Sequence, residues 1–136
     1  MITVDEARAL VLGLANPPQS EDIPLHDALG RALTVPVKAR LTQPPFDASA
    51  MDGYALRSAD LPGPLRVIGT AAAGVPYSGS TPPGTAIRIF TGAPVPAGYD
   101  RVVMQEIVTR DGDSIQVGDA GNNLNIRQQG NDFQKG

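Results

Sequence analysis

The sequence predicts a mainly β fold preceded by a short helical N-terminal part, with the strands arranged as a small barrel or sandwich. Three observations predict it. Glycine (15) and proline (13) make up about a fifth of the 136 residues and are scattered without a collagen-like period, so long uninterrupted helices find no room. Helical spacing of apolar residues is confined to the start of the chain. From Leu41 onward short apolar bursts alternate with turn signals, which is the spacing of a small barrel or sandwich.

Thr3 opens the first element. In Thr3-x-x-Glu6 a hydroxyl and a carboxylate satisfy two orphan amide donors reciprocally, as a capping box does. Val4, Ala7, Leu10, Val11 and Leu14 follow helical spacing, and Asn16-Pro17-Pro18 stops the run. A second short helix is predicted over 25–33, with Asp27 in its first turn. The run Leu33-Thr34-Val35-Pro36-Val37 reads as extended, because the residue before a proline avoids the helical region. Apolar bursts at 65–68, 85–91 and 102–109 are predicted strands. In the second, Ile87 and Ile89 share one face and Arg88 and Phe90 the other. Arg110-Asp111-Gly112-Asp113 is a hairpin turn, since Asp-Gly tolerates positive φ. Ser114-Ile115-Gln116-Val117 alternates like a half-buried return strand. The closing residues 131–136 finish neither a helix nor a strand, so the chain is expected to be part of a longer protein. No internal repeat is visible.

Composition removes several function classes. There is no cysteine, hence no disulfide framework, thiolate metal site or cysteine nucleophile. His26 is the single histidine, so a multi-histidine metal site has no material within one chain, and His26 itself reads as structural or solvated. No apolar run approaches the length of a membrane span, and the acidic start has no signal-peptide core. A net charge of −3 without a Lys/Arg cluster argues against a nucleic-acid footprint. The expectation is a cytoplasmic domain that binds neither nucleic acid nor membrane.

Four segments could carry chemistry. The first runs Pro44-Pro45-Phe46-Asp47-Ala48-Ser49-Ala50-Met51-Asp52-Gly53-Tyr54-Ala55. Read plainly it is a connecting loop, with Asp47 and Ser49 making side-chain turns and Phe46 and Tyr54 plugging it into the barrel. Read functionally, Asp52 ahead of Gly53 points a carboxylate into a cleft, and carboxylate oxygen suits a hard cation such as Mg²⁺. The second is Ile89-Phe90-Thr91-Gly92-Ala93-Pro94-Val95-Pro96, where a strand end presents a hydroxyl and free amides to an anion, or simply turns. The third, 71–79, has small residues about Gly74 that leave room beside the backbone, as most turns do. In the fourth, 121–132, Arg127 is placed to meet a phosphate or, equally, Asp132 on the surface.

Taken in order, Phe46-Asp47-x-Ser49-Ala50-Met51-Asp52-Gly53-Tyr54-Ala55, Ile87-Arg88-Ile89-Phe90-Thr91-Gly92-Ala93-Pro94-Val95-Pro96, Val102-Val103-Met104-Gln105-Glu106 and Asn125-Ile126-Arg127-x-x-Gly130 resemble the molybdopterin molybdenumtransferase family. These are the molybdenum insertases of molybdenum-cofactor biosynthesis, similar to the E domain of gephyrin. Leu25-x-x-Ala28-Leu29-Gly30-Arg31-x-Leu33 also fits, and the resemblance covers almost the whole chain. Two positions depart from it: Ala48 stands where asparagine is usual in bacteria, and Asn131 where glutamate is usual.

The resemblance implies an N-terminal part of a larger homodimeric enzyme. Residues 1–40 with 126–136 would form an incomplete, elongated α/β domain, and 41–125 an inserted small β-barrel domain. A third domain that grips the pterin, and a fourth, would lie outside this chain, so this part alone would be inactive. The implied substrates are adenylylated molybdopterin and molybdate, with release of AMP and participation of Mg²⁺. Asp52 matches the family's essential carboxylate, with Mg²⁺ binding or water orientation as its role, and Thr91 matches a hydroxyl at the cleft. Ser49, Met51, Gly74 and Gly92 would line that cleft. The lack of a complete catalytic set leaves an alternative open, a non-catalytic dimerisation or scaffold module.

Overall fold

The computed structural model describes residues 2–16 and 19–136. Two compact units divide it, Met1–Val37 and Lys38–Gly136.

The first unit holds one α-helix, α1 (Val4–Gly13). The expected capping box is present: the Glu6 amide donates to Thr3 Oγ1 at 3.2 Å, and the Thr3 amide donates to Glu6 Oε2 at 2.7 Å. Asp5 and Glu6 also place negative charge at the positive end of the helix dipole. No residue of α1 is buried, and Val4, Leu10 and Val11 lie open. Local capping is therefore the visible support of this helix. It ends at Gly13, with Leu14 as C-cap; the expected stop at Pro17-Pro18 falls outside the described residues.

The second helix expected over 25–33 is not formed. Only a 3₁₀ turn spans Leu25–Asp27, closed by the Ala28 amide on the Leu25 carbonyl at 3.1 Å. Gly30 follows at φ +79°, outside the helical region. With no buried face, so short a helix does not repay its nucleation cost. The run 33–37 forms no strand either.

The second unit is the β domain. Its strands are β1 (Ala48–Ser49), β2 (Gly53–Leu56), β3 (Leu65–Ala71), β4 (Thr85–Ile89), β5 (Arg101–Met104), β6 (Val108–Asp111), β7 (Ser114–Val117) and β8 (Ile126–Arg127). β1 and β8 pair antiparallel, and the other six form one sheet in the order β5-β2-β4-β3-β7-β6. Within that sheet only β3 and β4 run parallel. Their crossover, residues 72–84, is near the minimum of about a dozen that a parallel return needs.

The burst expected as one strand over 102–109 is broken. A 3₁₀ turn, Gln105–Ile107, separates β5 from β6, which are the two opposite edges of the sheet. The four residue steps from Met104 to Val108 reach at most about 14 Å. Five flat inter-strand spacings would cover about 24 Å. The sheet must therefore curl, and the expected barrel-like form follows from a three-residue connection.

Both faces of the curl are dry at the centre. Tyr54, Leu56, Ala86, Val103 and Ile115 pack on one, and Ala55, Ile87, Ile89, Val102 and Tyr99 on the other. This is why β2 and β4 read as nearly continuous apolar runs. The expected hairpin between β6 and β7 forms, one residue later than the Asp-Gly reading. Asp111 pairs with Ser114, leaving Gly112-Asp113 as the loop, with Gly112 at φ +56° where a type II′ turn takes glycine.

Candidate functional site at one end of the sheet

β2 begins at Gly53, and that residue pairs with Ile89 on one side and Met104 on the other. A Cβ at Gly53 would sit 1.8 Å from the Val103 carbonyl oxygen, so no other residue fits where the three strands meet. Asp52 stands just before this junction and Thr91 just beyond the end of β4. The antiparallel register brings them together across β2 and β4.

Their contact is specific. Asp52 Oδ1 accepts from the Thr91 amide at 2.8 Å and from Thr91 Oγ1 at 2.7 Å. Thr91 is held for this task by a turn in which the Ala93 amide donates to the Phe90 carbonyl at 3.0 Å. Gly92 occupies the third position of that turn at φ +81°, where type II geometry calls for glycine. The Gly92 amide donates to the Ser49 carbonyl at 2.8 Å, and the Ser49 amide to the Ala93 carbonyl at 2.9 Å, fastening the two loops to each other.

The Asp52 carboxyl lies below the usual aspartate range. The Thr91 amide is the main cause, followed by the Thr91 hydroxyl, with a smaller lowering from the Arg88 guanidinium; slight burial opposes them. Asp52 is thus an exposed, ionised carboxylate with Oδ1 engaged, while Oδ2 accepts no hydrogen bond among the described residues. One free carboxylate oxygen fits the way Mg²⁺ is commonly held, by one or two carboxylates together with water and substrate phosphate. Among the described residues no group of three or more metal-ligating side chains exists, so Asp52 offers a single ligand.

The other named residues fall into place around this pair. Ser49 is 1% exposed, and its hydroxyl donates to the Met51 carbonyl at 2.6 Å, shaping the loop that carries Asp52. Met51 is exposed beside Asp52. Gly74, at φ +78°, lies in the tight Ala72–Val75 turn after β3, at the same end of the sheet but without a bond to the pair. Tyr54 plugs the core, whereas Phe46 stays 40% exposed. Arg127 takes the surface alternative, Nη2 lying 2.5 Å from Asp132 Oδ1. His26 is solvated, 3.5 Å from the Asp27 carboxylate.

Two residues were quoted from the sequence without a role. Arg88 donates to the Gly53 carbonyl at 2.7 Å and to Gln105 Oε1 at 2.6 Å, close to the rings of Tyr54 and Phe90. Its signal was a cation on the half-open face of a strand that is otherwise apolar. Asn125 sits at φ +53°, the single described non-glycine residue there. Its side-chain amide donates to the Val102 carbonyl at 2.9 Å, and its own carbonyl accepts from the Ala50 amide at 2.9 Å. Asparagine tolerates the left-handed region, and that tolerance was its legible trace.

A curled β domain thus carries, at one sheet end, an exposed ionised carboxylate clamped by a neighbouring amide and hydroxyl. Residues 2–136 match the family described as MoeA N-terminal region (domain I and II), and the chain belongs to that family. It is 41% identical to the molybdopterin molybdenumtransferase of Haemophilus influenzae, over 100% of this chain and 35% of that protein. It is 35% identical to the Bacillus subtilis protein of the same name, over 99% of this chain and 34% of the other. Among solved structures, the molybdopterin biosynthesis moeA protein of Pyrococcus horikoshii OT3 superposes with a TM-score of 0.85 at 37% identity, covering 97% of this chain and 37% of that one. The chain thus spans about a third of the length of these relatives.

Proposed function

We propose that this chain is the N-terminal part of a molybdenum insertase, which transfers molybdate into adenylylated molybdopterin with release of AMP. The family and the names of its relatives support the reading, and the clamped Asp52–Thr91 pair is the observation that carries it. Loss of AMP breaks a phosphorus–oxygen bond beside several negative charges, so positioning and charge control do most of the work. Bound Mg²⁺ would neutralise phosphate charge there. Thr91 fixes Oδ1 of Asp52, which leaves Oδ2 as the atom that would hold the metal or orient a water. Gly92 and Gly74 keep the adjoining backbone free of side chains, and Met51 adds an apolar wall. Ser49 sets the loop. This chain supplies little positive charge, so the rest of the phosphate grip belongs to other parts of the longer protein and to a second copy in a cytoplasmic homodimer.

The test is molybdate-dependent AMP release from adenylylated molybdopterin by the full-length protein, beside the same protein carrying Asp52→Ala. Release that this substitution abolishes, with folding retained, is the expected result. Unchanged release from Asp52→Ala would overturn the assignment of Asp52. No release from the folded wild-type protein would overturn the insertase reading in favour of a scaffold.

A further inference from the structure

We propose that Arg88 is the positioning residue of this site, the tie that holds Asp52 opposite Thr91. The inference rests on the reading of Asp52 and Thr91 as the functional pair. Arg88 Nη1 donates to the Gly53 carbonyl at 2.7 Å, one residue after Asp52, and to the Ile89 carbonyl at 3.2 Å, two residues before Thr91. One nitrogen thus spans the two strand ends on which the pair is mounted. Nη2 donates to Gln105 Oε1 at 2.6 Å, and the Gln105 backbone amide donates to the Asp52 carbonyl at 3.2 Å, which closes a second path back to Asp52.

The guanidinium also lies against two aromatic rings. It lies 4.5 Å from the Phe90 ring centroid and 5.4 Å from that of Tyr54, and Tyr54 is itself locked in the core. A lysine would keep the charge but lose the planar fork that reaches three acceptors at once. The Glu106 carboxylate accepts from the Gln105 side-chain amide at 3.3 Å, turning the amide oxygen toward Arg88.

The test reads the pair directly. Thr91 amide exchange and the Thr91 amide resonance are followed by NMR in the full-length protein, in wild type, Arg88→Met and Arg88→Lys. Arg88→Met is expected to speed Thr91 exchange and to move the Thr91 amide resonance as its bond to Asp52 loosens, while core amides such as Ile87 and Val102 stay protected. Arg88→Lys is expected to speed Thr91 exchange as well, and it serves as the decisive variant if Arg88→Met loses core protection. Unchanged Thr91 exchange and an unchanged Thr91 amide resonance in a folded variant would overturn the proposal. Because neither readout needs turnover, a failed insertase assay leaves this result standing, and a failed Arg88 result leaves the insertase assay standing.

Discussion

Asp52 draws its ionisation from two bonds given by one neighbour. Its carboxyl is lowered in the fold, chiefly by the Thr91 amide and next by the Thr91 hydroxyl. A lowered carboxyl stabilises the fold above its unfolded value, and that contribution is lost as pH falls through the folded value. Thr91→Val should therefore raise the Asp52 midpoint, through loss of the hydroxyl bond, while the amide bond persists. The acid limb of the stability curve should shallow, as urea midpoints between neutral pH and the acid side of the aspartate range would reveal. A second residue-scale prediction concerns Thr85 and Tyr99, both buried. Thr85 Oγ1 donates to the Pro82 carbonyl at 2.5 Å, so across the 2.8 Å contact between the two hydroxyls the Tyr99 proton is the one donated. Tyr99→Phe leaves Thr85 its acceptor and should cost about 1 kcal/mol. Thr85→Val strands a buried phenol and should cost more, in the range of about 1–3 kcal/mol. Equal costs in chemical denaturation would contradict this proton assignment.

Among the elements, α1 depends on its cap. With no residue buried, Thr3→Ala removes the hydroxyl acceptor of the capping box, worth about 1 kcal/mol. Helical circular dichroism should fall without a change in the unfolding of the β domain. The opposite case is Gly53→Ala, which drives a methyl into the Val103 carbonyl and should destabilise the β domain by at least about 1–3 kcal/mol in denaturant titration. These elements also show what the sequence could disclose. The Thr3/Glu6 box, the β7 alternation and the Gly112 turn were legible because each is a local rule. The helix over 25–33 was misread because its apolar spacing implied a covered face that the structure does not supply. The single strand over 102–109 was misread because apolar Met104, Ile107 and Val108 look the same in a strand or around a corner. For the site, Asp52 and Thr91 were singled out by motif, but their mutual contact depends on pairing across 39 residues. Arg88 went unranked for the same reason: its partners at Gly53 and Gln105 are assembled only by the sheet.

For the molecule as a whole, the two units should behave differently. The β domain holds both core clusters, while the described helix of the first unit buries nothing. Native-state hydrogen exchange should find the slowest amides in β2, β4 and β5, limited by global opening, and fast exchange throughout α1. Protection in α1 equal to that of β4 would contradict this ordering.

Asn125 and the corner at Gln105–Ile107 have a further consequence, for solubility. A sheet edge with free amides and carbonyls is a template on which a foreign strand can grow into an aggregate. On β5 the middle of that template is already engaged: the Val102 amide donates to the Leu124 carbonyl, and the Val102 carbonyl accepts from the Asn125 side-chain amide. The opposite edge, β6, carries Arg110 and Asp111 and starts only one turn away. A curl closed by three residues and one asparagine thus does the protective work for which a complete barrel would need another strand.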